Sequence, residues 1–476
     1  MLRGPAPSND DELGTGDPIS AENARCHVRA HRRTVPFTAM RFRASDVARA
    51  TGGQLIGPDV EIDGASFDTR GLVTGMLFVP VVAERDGHEF IADAMSSGAA
   101  ATLSERGHGY DSLTAIDVTS TTDAFGALAR WLRSTDEHAP QCVVGVTGSV
   151  GKTTTKDLVA SALASHGVHA AAASLNNDLG VPSTIVNAPD RVPVIVCEMG
   201  MRGLGQISRL CDVAHPDIGV VTRVGVAHTE LLGGLDYVAT AKAELVRALP
   251  ASGTAVLNSD DDRVVAMAIL TTADVVTYGS RGDVRAETLD IDYLGCHRVI
   301  VRSPWGSSEL RIPVPGAHMV SNTLAAAAVC GVVTGSLDGL GAVEAVSLSS
   351  HRMRTVDLGR CIVVDDSYNA NPTSMVAALD ALASMDVDRR VAVLGAMAEI
   401  ADSDEQHRNI AAEAAQRGID VVAVGTSAYG QPPVDDVIGA LRELTAGSRR
   451  VGIIVKASRS AQLETVAAEI ISAFRP

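Results

Sequence analysis

An apolar run, Cys142-Val143-Val144-Gly145-Val146, passes directly into Thr147-Gly148-Ser149-Val150-Gly151-Lys152-Thr153-Thr154-Thr155. A buried strand that turns through glycines into a helix opening on lysine and hydroxyl residues commits this part of the chain to α/β architecture, with a parallel sheet covered on both faces. The same turn is a cradle for anions. Backbone N–H groups along Gly148, Ser149, Val150, Gly151, Lys152, Thr153 and Thr154 and the positive helix end face a polyphosphate. Lys152 adds a point charge at its outer phosphates, and the Thr153 hydroxyl can ligate magnesium. ATP chemistry is the expectation. The general loop pattern has Gly where Val146 stands, so this is the shorter G-x-x-G-K-T-T form; a bare glycine turn before a helix is the competing reading.

At 476 residues the chain is too long for one core. Residues 1–39, rich in Pro, Asp, Arg and Ser, have no continuous apolar segment and are expected to be a disordered tail, with Met40 as the real start. Residues 40–135 form a small α/β domain. Residues 136–348 alternate strands (Val194 to Cys197, Ile218 to Thr222, Ala255 to Leu257, Val275 to Tyr278) with amphipathic runs, and a β-rich stretch from Val299 to Val314 suggests an antiparallel addition. Residues 349–476 alternate again and form a second doubly wound, Rossmann-like unit. Three α/β domains follow.

A net charge of −17 argues against a nucleic-acid surface. The seven cysteines are scattered, without C-x-x-C spacing, so neither a disulfide framework nor a zinc site is signalled. Leu324 to Val333, the longest apolar stretch, is far shorter than the roughly 18 residues of a membrane span. A cytoplasmic monomer without membrane insertion is expected.

Ligands of parallel sheets sit beyond the carboxyl ends of the strands, so polar residues there carry the functional information. Glu198 ends the run Val194 to Cys197, close to where the phosphate loop opens, and a metal is its natural partner. His228 and Glu230 follow the next strand; a lone histidine is more often structural. Lys242, by itself, reads as a surface lysine at a helix start. Asn322 sits at a loop-to-helix transition, where a helix cap is the simpler reading. Arg352 and Arg354 flank the junction of the second and third domains, and a guanidinium there suits phosphate. Asp365-Asp366-Ser367-Tyr368-Asn369-Ala370-Asn371-Pro372 packs acids, amides and a phenol at one strand end, more than a turn requires.

Together these segments resemble the Mur ligase family over essentially the whole chain from Met40. They look most like the branch that adds D-alanyl-D-alanine to UDP-N-acetylmuramoyl-tripeptide, through Asp366 to Pro372, Asp68-Thr69-Arg70, Asp86-Gly87-His88-Glu89-Phe90 and Ser174-Leu175-Asn176-Asn177. The resemblance implies ATP-dependent amide formation. It assigns Lys152 and Thr153 to ATP and magnesium, Glu198 and His228 to magnesium, and Lys242 to carbamylation by carbon dioxide. Asn322 would contact the adenine side, and Arg352 and Asp366 would close over the nucleotide. Asp68, Thr69 and Arg70 would bind the uridine nucleotide, Asn176 and Asn177 would lie at the substrate, and Tyr368, Asn369 and Asn371 would position the dipeptide. The chain departs from the pattern at Arg223, Arg354, Ala396, Ala401 and Ala457, where Asn, Glu, Asp, Gly and Gly are usual. These departures keep two alternatives open: a paralogue joining a different amine, and a nucleotide-binding partner protein without catalysis.

Overall fold

The computed structural model describes residues 40–105, 113–135, 138–225 and 234–476. The expected tail at 1–39, together with His228 and Glu230, lies outside the described residues.

The first unit is a five-stranded sheet in the order Gln54–Ile56, Thr114–Asp117, Ala101–Ser104, Leu77–Phe78, Ala65–Ser66. Only the first of these strands runs antiparallel to its neighbour. Strand Leu77–Phe78 ends just before Pro80, which has no N–H to give to a ladder. This unit does not stand apart. Phe42, Leu77, Phe125 and Leu128 share one apolar core with Val143 and Ile195 of the next domain. The Asn187 amide adds a clasp, accepting from Ala65 N (2.9 Å) and donating to Ala65 O (2.9 Å).

The central domain is a six-stranded, all-parallel sheet ordered Asp274–Tyr278, Thr254–Asn258, Ile218–Val221, Cys142–Thr147, Val194–Glu198, Val168–Ala170. Cys142–Thr147 is fully buried between its two neighbours, which accounts for its unbroken apolar character. Helix Ala317–Thr334 covers one face of the domain. Its 18 residues are long and apolar enough to cross a membrane, contrary to the sequence expectation, yet it is the mostly buried core helix here. The sequence reading started the apolar run at Leu324 and so missed the helix's first two turns. Gly331 lies under Trp305, whose Cε3 would be 2.1 Å from an added Cβ. Trp305 belongs to an antiparallel sheet of Arg285–Ile291, His297–Ser303 and Gly306–Arg311, the addition foreseen from the β-rich stretch.

The last domain has strands in the order Arg354–Asp357, Cys361–Asp365, Val451–Lys456, Arg389–Leu394, Asp420–Ala423, the first antiparallel and the rest parallel. The edge strand Arg354–Asp357 carries no apolar alternation and was not legible beforehand. The antiparallel sheet of the central domain meets this one at Tyr293, which donates to Asp357 (3.0 Å) and lies under the Arg450 guanidinium at 4.3 Å. The carboxyl ends of the two parallel sheets thereby face one cleft of about 710 Å³.

Candidate active site

The phosphate loop leaves its strand at Gly148 (φ +153°) and enters helix Lys152–Ala162 at Gly151 (φ +83°). Both positions exclude a side chain. A Cβ on Gly148 would lie 1.8 Å from Thr222 Oγ1, and one on Gly151 would lie 2.6 Å from Asn322 Oδ1. Asn322 is therefore placed against the loop itself. Lys152 Nζ donates to Gly148 O (2.8 Å), folding back along the loop. Burial lowers its pKa, Glu198 raises it, and Arg352 lowers it again, with a net downward shift.

Glu198, 3 % exposed at the end of the neighbouring strand, gathers the hydroxyl and amide groups around it. Thr153 Oγ1 donates to Oε2 (2.8 Å), while Ser174 Oγ and Asn176 Nδ2 donate to Oε1 (2.8 Å each). Burial alone would push this carboxyl up. Lys152, Asn176, Arg352 and Ser174 together outweigh that effect and hold it below the ordinary carboxylate range.

Lys242, on helix Leu235–Arg247, is 3 % exposed and lines the cleft. It has no hydrogen-bond or ion-pair partner among the described residues. Desolvation, with Lys152 nearby, pushes its pKa well below the usual lysine value. The side chain that looked like a surface lysine is buried, and burial disfavours its charged form. That is the largest difference between its sequence reading and its place in the fold.

The opposite wall belongs to the last domain. Arg352 lies between two non-glycine residues in the left-handed region, His351 (φ +59°) and Met353 (φ +49°). Such strain costs on the order of 1 kcal/mol or more per residue and persists only where neighbours enforce it. Here the His351 ring pairs with Asp365 (2.8 Å), Met353 N donates to Asp366 Oδ1 (3.1 Å), and Tyr368 N donates to His351 O (3.1 Å). The enforced turn stacks the Arg352 guanidinium on the Tyr368 ring at 4.1 Å and brings Nη2 to within 3.1 Å of Thr153 Oγ1, across the domain boundary. Arg352 Nε is buried and has no partner among the described residues.

Asp366 is held by Lys456, itself 2 % exposed, whose Nζ donates to Asp366 Oδ2 (2.5 Å) and Asn369 O (2.9 Å). Lys456 has no role in the sequence analysis, and its partner lies 90 residues away in the chain. Asn371 caps helix Pro372–Ala383, accepting from Ser374 N at 2.9 Å, so its carbonyl oxygen is already engaged. Asn177 lies two residues before Leu179, the N-cap of helix Gly180–Val186, and its Oδ1 accepts from Gly180 N at 2.9 Å. The altered loop at Ala396–Ala398 keeps its shape, since Ser458 N donates to Ala396 O (2.9 Å) and Ala398 N donates to Ser458 Oγ (2.7 Å).

The cleft thus gathers Gly148 to Thr154, Asn176, Asn177, Glu198, Lys242, Asn322, Arg352, Asp366, Tyr368, Asn369 and Asn371. Asp68, Thr69 and Arg70 lie elsewhere, on a turn of the first domain. There Asp68 accepts from Arg70 N (3.0 Å) and pairs with the Arg70 guanidinium (2.7 Å), which keeps its carboxyl below the usual range.

A half-buried phosphate loop facing a set of polar side chains at the ends of a second, mostly parallel sheet is the layout of a nucleotide-dependent ligase. Comparison with known proteins narrows that class. Residues 146–330 match the Mur ligase middle domain, and residues 351–472 match the Mur ligase, glutamate ligase domain. The UDP-N-acetylmuramoyl-tripeptide--D-alanyl-D-alanine ligase of Escherichia coli is 34% identical over 89% of this chain and 96% of its own length. The enzyme of that name from Mycobacterium tuberculosis is 39% identical over 76% and 77%. A crystal structure of MurF from Acinetobacter baumannii superposes with a TM-score of 0.82, at 27% identity, over 92% of this chain and all of that one. The chain belongs to the Mur ligase family, and it is an ATP-dependent ligase.

Proposed function

We propose that this chain adds D-alanyl-D-alanine to UDP-N-acetylmuramoyl-tripeptide, with ATP as the energy source, during peptidoglycan precursor assembly in the cytoplasm. The names and coverage of its relatives support the substrate pair. The observation that carries the reading is the meeting of Arg352 and Thr153 at 3.1 Å, which joins the nucleotide wall to the Asp366–Asn371 wall in one cleft.

A carboxylate resists an amine because oxide is its leaving group. Transfer of the γ-phosphoryl of ATP to the substrate carboxylate forms an acyl phosphate; attack by the amine gives a tetrahedral intermediate that expels phosphate and forms the amide. Lys152 and the loop N–H groups hold the outer phosphates, and Arg352 balances charge on the transferred group. The last domain, docked through Tyr293 and Arg352, keeps water from the acyl phosphate. Asp68, Thr69 and Arg70 serve the uridine nucleotide on the first domain, while Asn176, Tyr368 and Asn369 serve the acyl and amine substrates.

The residues around Glu198 fit a magnesium ion. A buried carboxylate ringed by the Thr153 and Ser174 hydroxyls matches an ion that takes one or two carboxylates and completes its shell with phosphates and water. Thr153 and Glu198 would hold it, with His228, and it would neutralise charge on the phosphates. Lys242 suits carbamylation: its uncharged amine would combine with carbon dioxide to give a carbamate and a proton, and the carbamate would supply a second anion on the wall that carries Glu198.

The test is direct. Purified protein with ATP, magnesium, UDP-muramoyl tripeptide and D-alanyl-D-alanine should yield the pentapeptide product by mass, with one phosphate per amide. Lys152→Ala should abolish turnover while the protein stays folded. Phosphate release that no amine stimulates, or near-normal turnover of the variant, would end the reading.

A further inference from the structure

Resting on the dipeptide reading above, a question remains about recognition. The incoming amine carries a terminal carboxylate, and a buried or half-buried carboxylate needs a cation. Six Lys or Arg side chains line the described part of the cleft. Lys152 folds onto the phosphate loop beside Glu198, and Lys242 is buried in helix Leu235–Arg247 on the same, nucleotide-side wall. Arg202 pairs with Glu399 at 3.1 Å, Arg352 reaches Thr153, and Lys456 is taken by Asp366 and Asn369 O.

Arg459 remains. It is exposed to the cleft, has no carboxylate partner among the described residues, and makes only a long contact to Tyr368 Oη at 3.5 Å. Its guanidinium carbon is 5.5 Å from the Tyr368 ring centroid, while that of Arg352 is 4.1 Å from the same centroid. The Tyr368 ring therefore contacts both the arginine at the phosphate end and the one without an acid partner, and all three side chains line the cleft. Ala377, Ala378 and Ala398 line the same cleft and offer small apolar surface for methyl side chains.

We propose that Arg459 is the carboxylate-binding residue of the amine substrate, holding its C-terminus so that the amino group lies at the Arg352 end of Tyr368. The site selects a short, small-side-chain dipeptide with a free carboxylate. The planar fork of arginine suits this bidentate role better than lysine does.

The experiment compares D-alanyl-D-alanine with D-alanyl-D-alaninamide, which keeps the amine and methyls but has no charge at its C-terminus. Wild-type enzyme should prefer the acid in kcat/KM by about 10- to 100-fold, the worth of a charge-assisted pair. Arg459→Met should raise KM for the acid until acid and amide are used alike, with KM for ATP and for the UDP-tripeptide little changed. Arg459→Lys should restore part of the preference. A structural role would lower kcat for both dipeptides without erasing the preference between them. The proposal is overturned if Arg459→Met retains the wild-type acid-to-amide ratio, or if its KM rises for the UDP-tripeptide instead. If wild-type enzyme makes no product from D-alanyl-D-alanine at all, the dipeptide reading falls first, and this inference with it.

Discussion

Two buried lysines face the same cleft from opposite walls, and their surroundings could hardly differ more. Lys456, 2 % exposed, meets the Asp366 carboxylate at 2.5 Å and the Asn369 carbonyl at 2.9 Å. Lys242, 3 % exposed, meets no counter-charge among the described residues and has a second lysine for a neighbour. A buried cation with a carboxylate beside it stays where it is and pins a loop. A buried amine without one gives up its proton and keeps a nucleophilic lone pair. The contrast separates a lysine paired with an acid from one without such a partner among the described residues, in a way that burial alone does not.

The comparison breaks most sharply in turnover. Lys242→Ala should lower kcat by about 1,000-fold or more with an unchanged circular-dichroism spectrum, and a small carboxylic acid should recover part of it by replacing the carbamate anion. No carboxylic acid should help a Lys456 variant. Loss of activity without rescue would return Lys242 to an ordinary packing role.

Stability gives the converse. Lys456→Met leaves Asp366 without its cation and should cost about 3 kcal/mol in denaturant unfolding, whereas the double variant with Asp366→Asn should recover much of this. Equal costs for the single and double variants would show that the pair is not what pins the loop.

Titration sharpens the point further. Burial holds Lys242 below the ordinary lysine value of 10.5 in the folded protein, so the unfolded chain keeps its proton to higher pH. Unfolding therefore takes up a proton, and stability rises with pH up to that value. In bicarbonate-free buffer, Lys242→Met should be more stable than wild type at neutral pH, with the gap closing as pH rises towards 10.5. A gap independent of pH would mean that Lys242 stays charged when folded.

The smallest effect concerns His318, where burial pushes the imidazole down to about 4 from 6.5. The folded state resists its protonation, so the stability this histidine contributes is present above 6.5 and is lost as pH falls towards 4. His318→Gln should flatten that acid limb by about 1–3 kcal/mol. An unchanged limb would place the acid sensitivity elsewhere.

Much of the site was legible because it is local in the chain. The phosphate loop, Glu198 at its strand end and the Asp366–Asn371 segment each declare themselves within a dozen residues, through glycines, strand periodicity and clustered polar groups. The parallel strands of the central and last domains were legible for the same reason, since full burial makes them continuous apolar runs. Lys456 and Arg459 were not, because nothing near them in sequence says that one will find Asp366, some 90 residues away, and the other will not find any acid. Asn177 and Asn371 line the cleft while their side-chain oxygens accept from backbone N–H groups, because a helix-start bond and a ligand contact call for the same residue type.

The sequence by itself determined the α/β class, the anion cradle with its lysine, and the set of polar residues placed at strand ends, because backbone propensity and short-range spacing decide those. Tertiary structure alone decided which charges are matched. Whether a lysine is a pin or a nucleophile, and whether an arginine is committed or free, depends on the dielectric and the partners supplied by segments far apart in the chain, and these exist only once the walls of the cleft have been brought together.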